Sequence, residues 1–265
     1  VKIALMDSGN GLLAAAAAVH RMRPDADLVL SSDPDGMPWG PRTPEDIIAH
    51  ALRCARSAAA LAPDALIVAC NTASVHALAA IRAELEPAIP VIGTVPAIKP
   101  AAAAGGPVAI WATPGTTGSP YQRGLIRDFA AGVEVTEVPC PGLADAVQYA
   151  DSAAVDAAVA AAAALTPRNV RSVVLGCTHY ELVAERIRAA VQPLLSPAVG
   201  RLALYGSADA VAAQTLRRIG AEPDPGATPS GRLTVLLSGR EGSIDPASLT
   251  YPEGRSLLET AAVRP

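Results

Sequence analysis

Short apolar runs alternate with long alanine-rich stretches along this chain, and that alternation limits what it can fold into. The runs are Ile3–Met6, Leu28–Leu30, Ala65–Ala69, Val91–Ile92, Val108–Ala112, Val133–Val138, Val170–Leu175, Leu202–Tyr205 and Leu233–Leu237. Continuous apolar runs of this length read as parallel strands buried on both faces. Between them Gly11–Met22, Pro44–Leu61, Ser74–Leu85, Ala153–Leu165 and Leu182–Val191 have high helix propensity. Strand–helix–strand repetition predicts an α/β fold with doubly wound parallel sheets. With 51% apolar and 17% charged residues the chain has ample material for a core, which excludes disorder as its main state.

The alternation repeats. A strand ends in Asp7-Ser8-Gly9, and a later one ends in Thr113-Pro114-Gly115. Likewise Val68-Ala69-Cys70-Asn71-Thr72 is matched by Leu175-Gly176-Cys177-Thr178-His179. The two offsets, 106 from Gly9 to Gly115 and 107 from Cys70 to Cys177, are nearly equal. Two similar α/β domains are therefore expected, with the boundary in the Pro/Gly/Ala-rich passage Pro96–Pro107. The first would take residues 1–97 and 206–265, and the second 98–205.

Several function classes fall away on composition. The net charge of −4, from 21 basic and 25 acidic residues, gives no electrostatic footprint for nucleic acid or an anionic membrane. Aromatic residues are 3%, too few for base-stacking platforms. Only Lys2 and Lys99 are lysines, so an internal Schiff base to pyridoxal phosphate has little to form on. The cysteines at 54, 70, 140 and 177 show no CxxC spacing, and no cluster of metal ligands is evident. No cofactor and no metal are expected. The long uncharged stretch from Pro100 to Gln122 is broken by prolines and glycines, so it does not read as a membrane span. Lys2 and four apolar residues before Asp7 do not read as a secretory leader, and the cytoplasm is the expected location.

Cys70 and Cys177 carry the chemistry. Each follows an apolar strand and precedes a helix, at the carboxyl edge where parallel sheets bind ligands. Unsatisfied N–H groups at a helix start favour thiolate over thiol, so either residue can serve as base or nucleophile. A lone cysteine at a strand end is usually an inert small hydrophobe. Two at equivalent junctions would instead face each other across a cleft between the domains. Asn71, Thr72, Thr178, Ser8, Thr113 and Thr116 are neutral hydrogen-bonding neighbours suited to carboxylates. Cys54, in an Ala/Arg helix pattern, and Cys140, beside prolines, read as structural. His20, His50 and His76 read as surface or packing residues without partners. His179, two residues after Cys177, stands apart because it can tune that thiol or bind an anion.

These residues resemble the cofactor-independent glutamate racemases of the aspartate/glutamate racemase superfamily. The matching segments are Asp7-Ser8-Gly9, Asp33 followed by Pro38-Trp39-Gly40-Pro41-Arg42, Ala69-Cys70-Asn71-Thr72-Ala73-Ser74, Ala112-Thr113-Pro114-Gly115-Thr116, Cys140-Pro141 and Leu175-Gly176-Cys177-Thr178-His179-Tyr180. The resemblance implies two pseudo-symmetric domains with the active site in the cleft between them. It implies a two-base mechanism: one of Cys70 and Cys177 removes the α-proton of glutamate and the other protonates the opposite face. Asp7 would assist near Cys70, and His179 near Cys177. Ser8, Trp39, Gly40, Asn71, Thr72, Thr113, Thr116 and Thr178 would hold the substrate, with Asp7 and His179 also lining it.

The chain departs from the family pattern in three places. Trp39 stands where a tyrosine is usual, Gly11-Leu12 replaces an early glycine pair, and Gln148 occupies the place of a carboxylate on the Cys177 side. The expected function is interconversion of L- and D-glutamate, supplying D-glutamate for peptidoglycan, by a homodimer. The alternatives are a related enzyme on aspartate or a non-standard amino acid, and a non-catalytic relative binding an acidic metabolite or a protein. Two retained thiols argue against the last, because binding alone needs neither.

Overall fold

The apolar runs form strands because a parallel strand covered on both faces has no need to alternate in polarity. A computed structural model describes residues 1–262, with side chains described through residue 258. The chain divides into two compact units, Val1–Val95 together with the chain from Ala208, and Pro96–Ser207.

The first unit begins with β1 (Lys2–Asp7), α1 (Leu12–Met22), β2 (Asp27–Ser32), α2 (Pro44–Ala59), β3 (Ala65–Val68), α3 (Asn71–His76), α4 (Leu78–Leu85) and β4 (Val91–Gly93). The second contains α5 (Ile98–Ala103), β5 (Val108–Ala112), α6 (Pro120–Phe129), β6 (Val135–Pro139), α7 (Leu143–Gln148), α8 (Ser152–Leu165), β7 (Ser172–Leu175), α9 (Thr178–Glu181), α10 (Ala184–Val191) and β8 (Ala203–Tyr205). The chain then returns to the first unit with α11 (Ala208–Arg218), β9 (Leu233–Leu237), β10 (Arg240–Gly242) and α12 (Pro252–Ala262).

The first sheet runs β10-β9-β2-β1-β3-β4 and the second β6-β5-β7-β8. All pairings are parallel except β10 with β9. Within the first sheet the order β2-β1-β3-β4 repeats the second sheet's β6-β5-β7-β8 strand for strand, which is the internal repeat seen in the sequence. In both, the connection from the first strand runs one way along the sheet and that from the third runs the other. The carboxyl ends of β1 and β3, and of β5 and β7, therefore flank the switch points where open α/β sheets bind ligands.

Alanine does the close packing. In α1 every residue from Leu12 to Val19 is buried, and the helix lies against β1, α11 and α12. Small side chains let the backbones approach without lost rotamer entropy. The helix starts are capped from the sequence. Thr43 and Ser119 accept from the backbone N–H three residues on in α2 and α6, each with proline at the first helical position, and Asp151 does so in α8.

Three local features differ from expectation. Ser74–Leu85 is not one helix but turns at Ala77 between α3 and α4. Ser74 Oγ donates to Val68 O at 3.2 Å and accepts from Thr94 N at 2.9 Å, so α3 is tied to the strand ends while α4 follows its own buried Ile81. The boundary passage Pro96–Pro107 holds a helix, α5, anchored by buried Ile98 and Ala101. Strand β10 is wholly exposed and polar, so it carries no apolar signal to read.

Candidate functional site

In the first unit, β1 ends at Asp7, and Met6 is paired with Val68 of the neighbouring β3. One residue further, Ala69 N–H bonds Met6 O at 2.8 Å. This register sets Asp7 and Ser8 on the strand beside Cys70, at the switch point. Cys70 is the N-cap of α3 in extended backbone (φ −136°, ψ 122°) and is buried, with buried Asn71 and half-buried Thr72 after it. Asp7 is fully buried, and its Oδ1 accepts from Ser8 N at 2.7 Å.

The second unit repeats the arrangement. Trp111 near the end of β5 pairs with Leu175 of β7, and Gly176 N–H bonds Trp111 O at 2.7 Å. Cys177 is the N-cap of α9 with φ −138° and ψ 136°, nearly the backbone angles of Cys70. On the adjacent strand end the hydroxyls of Thr113 and Thr116 meet at 3.1 Å, and Thr116 N bonds Thr113 O at 2.9 Å. Thr178 and His179 are both buried. The His179 ring links two partners: Nδ1 lies 3.9 Å from Cys177 Sγ, and Nε2 lies 2.9 Å from Gln148 Oε1 at the end of α7. In a neutral ring whose Nε2–H donates to Gln148 Oε1, Nδ1 turns its lone pair toward the thiol.

Cys54 and Cys140 behave as the sequence suggests. Burial pushes the Cys54 thiol up to about 12, aided by the Asp33 carboxylate, and burial does the same for Cys140. Such thiols stay protonated at neutral pH and are poor nucleophiles. Tyr180, buried three residues after Cys177, donates its hydroxyl to Cys140 O at 3.4 Å.

The structure corrects the reading of His50. It has a partner: Nδ1 lies 2.5 Å from Asp33 Oδ2, just beyond β2. Trp39 joins the same carboxylate, with Nε1 donating to Oδ2 at 3.1 Å. The sequence gives no signal for Ser238, which donates to Asp33 Oδ1 at 2.9 Å from 205 residues away. Gly40 is exposed in the same loop as Trp39. Nor does the sequence single out Glu137. Its Oε2 accepts from Gly118 N at 2.7 Å and Gln122 Nε2 at 2.8 Å, which fixes the loop after Thr113 and Thr116.

Among the described residues no three His, Cys, Asp or Glu side chains gather as a metal site would, and no helix is long and apolar enough to cross a membrane.

Known proteins resemble this chain in sequence and in fold. A family model described as Asp/Glu/Hydantoin racemase matches residues 11–203. Glutamate racemase of Pseudomonas entomophila is 34% identical over 253 residues, 93% of this chain and 90% of that protein. Glutamate racemase of a Roseiflexus species is 36% identical over 192 residues, covering 71% of this chain and 70% of the relative. The fold is that of Escherichia coli glutamate racemase, with a TM-score of 0.73 at 23% identity over 98% of this chain and 94% of the other. A four-strand order shared by the two sheets, a cysteine at the switch point of each, and a match over most of the sequence lead to one assignment: the chain belongs to the Asp/Glu/Hydantoin racemase family.

Proposed function

We propose that the protein is a cofactor-independent glutamate racemase in which Cys70 and Cys177 are the two bases, one for each enantiomer. The observation that carries this reading is the placement of two cysteines, with matching backbone angles, at equivalent strand–helix junctions of two sheets that share a four-strand order. Relatives 34% and 36% identical bear the name glutamate racemase, which supports glutamate over the other acids of the family.

In the proposed reaction one cysteine, as thiolate, takes the α-proton and becomes a thiol. The electron pair left on the α-carbon is delocalised into the α-carboxylate. The other cysteine, as thiol, gives its proton to the opposite face and becomes a thiolate. Inversion thus leaves the enzyme with its two protonation states exchanged, and the reverse reaction restores them. Racemisation needs a base on one face and an acid on the other, and two thiols at pseudo-symmetric positions suit that need.

Asp7 would assist Cys70, and His179, oriented by Gln148, would receive and return the Cys177 proton. Ser8, Asn71, Thr72, Thr113, Thr116 and Thr178 would bind the carboxylates and ammonium by neutral hydrogen bonds, leaving the developing charge to fixed dipoles rather than water. Trp39 and Gly40 would close one side. Supply of D-glutamate for peptidoglycan, a cytoplasmic location and a homodimer belong to the same proposal. A second reading, a racemase of aspartate or a non-standard acid, is favoured by the indole of Trp39, which shapes a pocket differently from the usual phenol.

Chiral chromatography of L- and D-glutamate, with aspartate in parallel, tests the reading. We expect interconversion of glutamate, lowered by about a thousandfold or more in Cys70→Ser and in Cys177→Ser, as for loss of a positioned acid or base. Unchanged activity in both variants would sink the two-thiol mechanism. Turnover of aspartate alone would favour the second reading.

A further inference from the structure

We propose that Asp33 is a positioning residue: its carboxylate sets the loop that brings Trp39 and Gly40 to the substrate. The proposal rests on the racemase reading, which assigns those two residues to the pocket.

Asp33 is only 4% exposed, and a carboxylate that deep needs its oxygens satisfied. Three side chains do so from three parts of the first unit. Trp39 Nε1, in the loop, donates to Oδ2 at 3.1 Å. His50 Nδ1, on α2, reaches the same oxygen at 2.5 Å. Ser238 Oγ, in the turn between β9 and β10, donates to Oδ1 at 2.9 Å. The backbone closes the same knot. Asp33 O accepts from Gly36 N at 3.0 Å and Met37 N at 3.1 Å, and Arg42 Nε donates to Gly36 O at 2.8 Å. The guanidinium of Arg42 also bonds Asp46 on α2, so the far end of the loop is tied as well.

Gly36 carries independent evidence that this packing is built. A Cβ placed on it would overlap both Asp33 Oδ2 and His50 Nδ1, so the backbone passes directly against the pair and a larger residue would have to displace it. The anchored indole is 1% exposed and belongs to the same buried cluster as Cys70. With its N–H on Asp33 and its ring buried, Trp39 anchors the loop from inside, and the next residue, exposed Gly40, is what the loop turns outward. Asp33 therefore acts on the substrate through Trp39 and Gly40, without touching it.

The test uses the two tryptophan indole N–H signals, from Trp39 and Trp111, in ¹⁵N-labelled protein, assigned with Trp111→Phe. Asp33→Ala is expected to shift the Trp39 signal and speed its exchange with solvent, while the Trp111 signal stays in place. In the same variant KM for glutamate should rise about tenfold with kcat within about threefold, the split expected when placement of a pocket wall is lost. Asp33→Asn should restore the wild-type signal and most of KM, since an amide can accept from Trp39 and donate to Ser238 Oγ. Should Asp33→Ala fail to fold, Ser238→Ala removes one donor and should move the Trp39 signal and KM in the same direction, by about two- to threefold in KM. An unmoved Trp39 signal overturns the proposal, and so does a moved signal with unchanged KM. A wild-type protein that does not turn over glutamate would refute the glutamate reading instead, and the indole response alone then decides whether Asp33 sets the loop.

Discussion

Replacing Gly176 by alanine should damage the Cys177 side through the backbone alone. A Cβ built on Gly176 lies 2.6 Å from Trp111 O and 3.2 Å from the Ala112 Cβ. The carbonyl belongs to β5 and cannot rotate away, because it already accepts Gly176 N–H at 2.7 Å. Ordinary contact begins at 3.4 Å, so β7 and β5 must separate by about 0.8 Å at this point (3.4 − 2.6). Overpacking of this kind costs roughly 1–3 kcal/mol. The stiffer unfolded chain returns about 0.4–1 kcal/mol, which leaves a net loss of up to about 2.6 kcal/mol. The larger effect is on chemistry. Cys177 is the next residue, and misplacement near 1 Å costs on the order of 10²-fold in rate, so kcat should fall about 10- to 100-fold. Urea unfolding and a racemisation assay measure the two effects. Wild-type stability together with wild-type kcat would refute the claim that this close approach places the thiol. The matching position in the first unit is Ala69, so the requirement comes from the β5–β7 contact and not from the motif.

Three further outcomes are expected. Iodoacetamide at pH 8 should leave Cys54 and Cys140 unlabelled in the folded protein, because burial holds both thiols up to about 12; peptide mapping reads this, and labelling of either in the native state would count against it. Trp111→Phe removes the buried bond from Nε1 to Thr166 Oγ1 (3.0 Å) and part of the indole volume, so thermal unfolding should report a loss of about 1–3 kcal/mol. Asp33 also shapes the response to acid. Burial alone would raise its carboxyl, but the hydrogen bonds from Trp39, Ser238 and His50 win and hold it below the ordinary 3.8. Its contribution is therefore fully present above pH 3.8 and is lost as pH falls through the lower folded value. With His50, Asp46, Arg53 and Cys54 around it unchanged, Asp33→Asn should flatten the fall in urea midpoint below pH 4, and an identical acid slope would contradict this.

The architecture was legible because buried parallel strands and alanine helices leave signals of composition and spacing. So did the two thiol junctions, since a strand-end cysteine before a polar helix start recurs at a fixed offset. The family resemblance puts Gln148 on the Cys177 side, and the structure places its side chain 2.9 Å from that of His179. What stayed hidden depends on contacts between distant segments. Asp46 and His50 sit four apart on α2, which marks a helix face but says nothing of Asp33 opposite. Ser238 reaches Asp33 only because β9 adds to β2, a pairing no local pattern encodes. Strand β10 is polar and exposed, and α5 lies in a passage whose prolines and glycines read as a boundary. Glu137 looks like a polar residue in a half-buried strand until the turn at Gly118 closes over it.

The most direct test of the two-thiol reaction is the fate of the α-proton when L-glutamate is converted in D2O. Two separate thiols predict that the first D-glutamate formed carries deuterium at the α-carbon while unreacted L-glutamate keeps its proton, both read by NMR during early turnover. Product retaining the substrate's own proton would mean that one group works both faces, and would contradict the account.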